Sequence, residues 1–155
     1  MKIMVKQDEL LAAIDEAFKE CEPLEVYTDI NHCAECAEAN ELLKNNSPDS
    51  ITSIEHTERL WDAFCLSGNQ AAKHFMPGLA RLTLRNGFLG SDLLRFTSCL
   101  APDLISELSE PQLRSLLGWL QYLLEWDSSD PAYPGDIDIK VIDRRIKREL
   151  SAGDE

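Results

Sequence analysis

The sequence predicts an all-α fold: a compact single-domain bundle of about six or seven helices over residues 1–155, with at most one short extended segment near residues 24–28. Three observations point to it. Apolar residues recur at three- and four-residue spacing through long segments, as one face of a helix requires. Capping residues, Pro and Asn-Gly punctuate those segments at their ends. A chain of 155 residues that is 44% hydrophobic is large enough to bury one core without disulfide or metal support.

Taken in order, a first helix is expected from about Gln7 to Cys21. Leu10, Ile14, Phe18 and Cys21 share one side, Asp8 and Glu9 suit the positive end of the helix dipole, and Pro23 stops it. Leu24–Thr28 is the short extended segment. A second helix is expected from Asn31 or His32 to Asn45-Asn46, capped by Asp29 or Asn31. A short helix follows around Asp49–Glu58, then a buried connector through Trp61, Phe64 and Leu66.

Asn69–Arg85 reads as the next helix, but Pro77-Gly78 falls in its middle. It therefore starts near Met76 or is kinked, because Pro removes a helical hydrogen bond and crowds the preceding turn. Ser91–Leu100 is a further short helix. Ser109–Trp126 has the clearest signals: a capping box from Ser109 and Gln112, Pro111 in the first turn, and two apolar stripes that mark a central helix. Residues 127–136 form an acidic loop. The last helix, about Ile137–Leu150, turns Ile139, Ile142, Ile146 and Leu150 inward and Arg144, Arg145, Lys147 and Arg148 outward.

The charge is the strongest compositional signal. Against 15 basic residues stand 28 acidic ones, for a net charge of −13. Such a balance disfavours nucleic acid, whose binding depends on Lys and Arg meeting phosphates, and it disfavours an anionic membrane surface. It favours a basic protein partner. Residues 1–66 carry 15 of the acids and only 5 of the bases, so the excess is concentrated there. No stretch near Met1–Lys6 has the roughly 7–15 apolar residues of a secretory leader, and no run reaches the roughly 20 that span a bilayer. Five cysteines in no framework spacing suit a reducing cytoplasm.

Three chemistry-bearing residues fall together in Asn31-His32-Cys33-Ala34-Glu35-Cys36. If residues 32–44 are helical throughout, Cys33, Cys36, Ala37, Asn40 and Leu43 share the core face, and Glu35 and Glu38 point away. The thiols then serve as small apolar side chains. Two alternatives stay open. Zinc would take Cys33 and Cys36 with His32 or His56, and Cys21, Cys65 or Cys99 would be needed to complete four ligands. Thiol redox chemistry would use the C-x-x-C pair at a helix N-terminus, which lowers a thiol pKa. No hydrolase serine elbow, zincin helix or phosphate-cradling glycine loop is present. His56 and His74 read as structural or solvated.

His32-Cys33-x-Glu35-Cys36, followed by Trp61-Asp62 and by Phe75-Met76-Pro77-Gly78-Leu79-Ala80-Arg81-Leu82, resembles a family of small bacterial proteins of unassigned function that carry an H-C-x-E-C motif. The resemblance covers roughly residues 27–85 and brings no catalytic residue with it. It implies a bacterial, cytoplasmic, single-domain protein, and small acidic proteins of this kind resemble immunity proteins, which bind and block a cognate toxin.

The expected function is accordingly a non-catalytic, acidic protein-binding module, an immunity-type inhibitor that occludes a basic toxin or enzyme domain. Its contacts are expected from Glu35, Glu38 and Glu41 on the second helix and from Asp127, Asp130, Tyr133 and Asp136 in the late loop, where acids flank an aromatic anchor. No catalytic residue and no cofactor are expected. The alternative function is a zinc-binding or thiol-redox protein built on Cys33 and Cys36.

Overall fold

The structure, a computed structural model, describes residues 2–52, 60, 62–64, 66–85, 102–127 and 136–153. The fold class is all-α: six α-helices and one short 3₁₀ helix are defined, and no strand occurs among the described residues. In chain order these are α1 (Lys2–Phe18), α2 (Ala34–Lys44), the 3₁₀ helix Pro48–Ser50, α3 (Asn69–Arg85), α4 (Pro102–Glu107), α5 (Glu110–Asp127) and α6 (Asp136–Gly153). Residues 60, 62–64 and 66 are also helical. None of the described helices is long and apolar enough to cross a membrane.

The chain divides into two compact units. One comprises Met1–Ala17 with Thr83–Glu155, the other Phe18–Leu82. The boundaries fall in the last turn of α1 and near the end of α3.

The first unit is organised by α5. Ser109 N–H donates to Gln112 Oε1 at 3.0 Å, and Gln112 N–H donates to Ser109 Oγ at 3.4 Å. This is the reciprocal cap that the Ser-x-x-Gln spacing predicts, and it sets the helix start. Leu113, Leu116, Trp119 and Leu120 are buried along the helix. α1 lies along α5: Gln7 donates to the Tyr122 hydroxyl at 3.0 Å, Gln112 Nε2 donates to the Ala17 carbonyl at 3.2 Å, and the Lys6 ammonium sits 5.7 Å from the Tyr122 ring centre. Gly118 permits this approach, since a Cβ there would meet a Leu10 methyl at 3.2 Å. α6 packs against α4 and α5 and buries Ile142 and Ile146. Arg144, Arg145, Lys147 and Arg148 are exposed, as their phase requires.

The second unit is built on α3, which buries Ala71, Phe75, Met76, Leu79 and Ala80. The helix runs unbroken through Pro77. The absent hydrogen bond and steric crowding cost about 3 kcal/mol, whereas each large apolar side chain buried on either side contributes about 1.5–3 kcal/mol. Packing therefore outweighs the local break. Phe75 anchors an aromatic cluster, with Phe64 edge-on at 5.2 Å, His74 edge-on at 5.0 Å and Tyr27 tilted at 5.9 Å. His74 is buried, and its Nδ1 lies 2.8 Å from the Cys21 carbonyl oxygen, to which it donates.

Gly78 is required by close approach. A Cβ at this position would come within 2.9 Å of the Pro48 Cα and closer still to the Pro48 carbonyl oxygen, both backbone atoms that cannot rotate away. Gly78→Ala is expected to destabilise the protein by about 1–3 kcal/mol through overpacking, despite the better helix propensity of Ala. Urea unfolding checks it, and an unchanged or raised midpoint would show that the Pro48 turn yields freely.

Several boundaries differ from the sequence expectation. α1 begins five residues before Gln7, because Lys2–Lys6 contains no breaker and the acids at Asp8 and Glu9 do not have to mark a first turn. It ends at Phe18, with a turn at Lys19-Glu20 before Pro23 is reached. Leu66, expected to be buried, is 41% exposed. The expected helix over Ser91–Leu100, most of the expected helix after Ser50, and His56, Trp61, Cys65 and Cys99 lie outside the described residues.

Candidate functional site

The H-C-x-E-C segment lies where the loop from Phe18 enters α2. Two buried hydrogen bonds fasten this loop to the helix. The Tyr27 N–H donates to Asn40 Oδ1 at 2.7 Å, and the Thr28 hydroxyl donates to the Cys36 carbonyl at 2.5 Å. Asn40 fell on the apolar face in the sequence. An amide among core positions signals such a buried partner, since burying it unpaired is costly. The Asp29 carboxylate accepts from the Asn31 N–H at 3.1 Å, and the His32 N–H closes the turn on the Asp29 carbonyl at 3.1 Å. Asp29 thus shapes the turn before the helix and does not cap it.

The cap is Cys33. Its backbone is extended (φ −162°, ψ 169°), and its sulfur accepts the Cys36 N–H at 3.4 Å. This corrects the inward placement of both thiols. The helix starts at Ala34, so Cys33 is outside the helical phase and exposed, whereas Cys36 is inside it and only 7% exposed. Asn40 and Leu43 are buried as expected, and Glu35, Glu38 and Glu41 are exposed; Ala37, expected on the core face, is half-buried, and Ala39 is buried in addition.

The two sulfurs are 3.4 Å apart, and Cys36 Sγ is 3.7 Å from His32 Nδ1. Ligand atoms of His32, Cys33 and Cys36 all lie within 4.8 Å of one another. Their electrostatics differ sharply. The Cys33 thiol is drawn down to about 7 by the Cys36 backbone N–H, by a hydrogen bond from His32 and by one from the Cys36 thiol, with the Glu35 backbone N–H adding a smaller contribution. Cys36 is pushed above the ordinary thiol range because it donates to Cys33, is desolvated and faces the Cys33 thiolate. His32 is raised by its hydrogen bond with Cys33 and by the charge of that sulfur. The result is an exposed thiol whose ionised form is favoured, beside a buried thiol whose protonated form is favoured, with an imidazole close by whose charged form is favoured.

The same three side chains could hold a soft divalent metal. Sulfur–sulfur and sulfur–nitrogen separations of 3.4 and 3.7 Å suit adjacent corners of a tetrahedron around an ion with metal–ligand distances of about 2.0–2.3 Å. Among the described residues the cluster supplies three ligands, one fewer than a structural zinc site uses.

Of the acidic residues expected at an interface, Glu35, Glu38 and Glu41 stand exposed on α2. Asp127 is the last residue of α5 and Asp136 the first of α6, while Asp130 and Tyr133 lie outside the described residues. The structure adds a groove of about 500 Å³ that the sequence reading did not anticipate. It is lined by Glu35, Glu38, Ala39 and Leu42 of α2 and by Asp62, Ala63 and Leu66. Its two walls are at least twenty residues apart in sequence, so no local pattern joins them. In comparisons with protein-family models, with curated proteins and with solved structures, no match to the chain is found, so its chemistry is read from this geometry.

Proposed function

We propose that the protein is a thiol–disulfide exchange protein in which Cys33 attacks and Cys36 resolves. One observation supports this above the others: at the start of α2, an exposed low-pKa thiol and a buried high-pKa thiol lie 3.4 Å apart. The Cys33 thiolate attacks one sulfur of a disulfide in a partner protein and forms a mixed disulfide, and the other sulfur leaves as a thiolate that takes up a proton. Cys36 then loses its proton and attacks Cys33 Sγ. The second partner sulfur leaves, and the Cys33–Cys36 disulfide remains. Two electrons pass to the partner, whose two sulfurs take up one proton from Cys36 and one from solvent; the reverse sequence oxidises a dithiol. His32 holds the negative charge at Cys33 before attack.

The test is the pH dependence of alkylation by iodoacetamide, with the labelled residue located by mass spectrometry. Only the thiolate reacts, so the rate rises with pH and levels above the pKa of the attacking thiol. For Cys33 the midpoint is expected near 7, against about 8.5 for an unperturbed thiol. At neutral pH the low pKa increases the thiolate fraction about fifteenfold but lowers its intrinsic nucleophilicity about fivefold, leaving a net gain of only about threefold. The midpoint is therefore the diagnostic quantity. Labelling chiefly at Cys36, or a midpoint near 8.5, would remove this reading. About one zinc per chain in the purified protein, blocking alkylation and lost in Cys33→Ser/Cys36→Ser, would replace it with a metal site.

A second proposal is the immunity-type inhibitor, supported by the exposure of Glu35, Glu38 and Glu41 together with the net charge of −13. It needs the carboxylates and not the thiols. Stoichiometric toxin capture by Cys33→Ser/Cys36→Ser would favour it.

A further inference from the structure

The groove on α2 begins at Glu35, one of the two residues between the cysteines, and the Glu35 backbone N–H also faces the Cys33 sulfur. Its floor is apolar, with Ala39, Ala63, Leu42 and Leu66; the two leucines are 37% and 41% exposed. Among the described residues its polar lining is acidic, with Glu35, Glu38 and Asp62. Among the described residues none of these three carboxylates forms an ion pair. Elsewhere in the chain acids do find cations: Asp49 meets Arg81, Glu110 meets Arg114, and Asp143 meets Lys147. Ile30 and Val26, in the loop that leads to Cys33, are also large, apolar and exposed.

We infer that this groove is the docking site for a segment of a partner protein in which basic residues flank apolar ones, and that it presents that segment to Cys33. The inference rests on the thiol-exchange reading for its consequence and on the groove for its chemistry. Leucine or isoleucine side chains of the segment cover Leu42, Leu66 and the alanines, while lysine or arginine side chains meet Glu35, Glu38 and Asp62. Three uncompensated carboxylates around an apolar floor reject an acidic segment, since like charges brought together across an interface are strongly unfavourable. Unit Phe18–Leu82 carries 11 acids against 5 bases, so long-range steering acts in the same direction as the local contacts.

The experiment uses the full chain and two fluorescein-labelled, cysteine-free peptides, one alternating lysine with leucine and one alternating glutamate with leucine. Fluorescence anisotropy at low salt is expected to show binding of the lysine peptide alone, weakened as salt rises. Glu38→Lys/Asp62→Lys changes two exposed side chains and is expected to weaken binding about tenfold. Glu22→Lys/Glu25→Lys makes the same change of net charge at exposed positions outside the groove, and is expected to leave binding within about twofold of wild type. Equal binding of both peptides would overturn the inference. So would equal weakening by the two double variants, which would mean that bulk charge alone attracts the peptide. Thiol exchange is measured separately on the wild-type protein with a neutral small disulfide. Peptide discrimination without exchange would retain the groove and remove the thiol reading, and exchange without discrimination would do the reverse.

Discussion

Trp119→Ala is expected to remove about 3–5 kcal/mol of stability, because Trp119 is the largest fully buried side chain among the described residues. Trp119 is 0% exposed, at the centre of the buried face of α5 between Leu116 and Leu120. Its indole N–H donates to Thr83 Oγ1 at 3.1 Å, so the ring is both packed and polar-satisfied. Truncation leaves a cavity that the surrounding leucines fill only in part and abolishes the hydrogen bond. Trp119→Phe separates the two contributions. It keeps much of the ring volume and loses the indole donor, for which a cost of about 1–2 kcal/mol is expected. Typical domains are stable by only about 5–15 kcal/mol, so the alanine variant should unfold at markedly lower denaturant and temperature. Chemical denaturation followed by far-ultraviolet circular dichroism measures both variants. A loss below about 1 kcal/mol for Trp119→Ala would show that α5 repacks around the gap.

The position of this tryptophan was legible because α5 carries agreeing signals at every level. The Ser109–Gln112 cap sets its start, and two apolar stripes require a wide buried arc, so one register alone satisfies both. α6 was legible for a similar reason, with buried Ile142 and Ile146 opposite exposed arginines. Local signals failed where tertiary packing overrides them. Pro77 suggested a break in α3, but Phe75, Met76, Leu79 and Ala80 are buried on both sides of it and hold the helix through. Gly78 looked like part of the same break, yet it serves to admit the Pro48 backbone.

At the candidate site the identities were legible and the roles were not. Three chemistry-bearing residues within five positions identify His32, Cys33 and Cys36 without any structure. What each does depends on where the helix begins. A start at Asn31 or His32 puts both thiols on the core face. A start at Ala34 makes Cys33 an exposed cap and leaves Cys36 buried. A shift of two or three residues thus separates a packing motif from an asymmetric thiol pair. Helix ends are the least legible feature of a sequence, because several cap candidates compete within one turn. Here Asp29 and Asn31 were the expected caps, and the helix instead starts after Cys33, whose sulfur accepts the Cys36 N–H.

That asymmetry leads to the second large effect. Cys33→Ser is expected to lower the rate of reaction with a small neutral disulfide by at least about a hundredfold, because the remaining Cys36 is buried and its pKa is raised. Cys36→Ser is expected to behave differently. The foremost contribution to the low Cys33 pKa is the backbone N–H of residue 36, which a serine retains. Cys33 should therefore still attack, with an alkylation midpoint between about 7 and the ordinary value of about 8.5. Without a resolving thiol the mixed disulfide has no intramolecular exit, so it should accumulate as a stoichiometric adduct on Cys33, visible by intact mass under non-reducing conditions. His32→Ala should raise the midpoint further by withdrawing the second contribution. The sign is the same in both variants: removing a group that stabilises the thiolate moves the reactive window toward higher pH. If Cys33→Ser reacted as fast as wild type, or if Cys36→Ser completed reduction without trapping an adduct, the division into attacking and resolving thiols would fall, and the short sulfur–sulfur distance would have to be explained by packing or by metal binding.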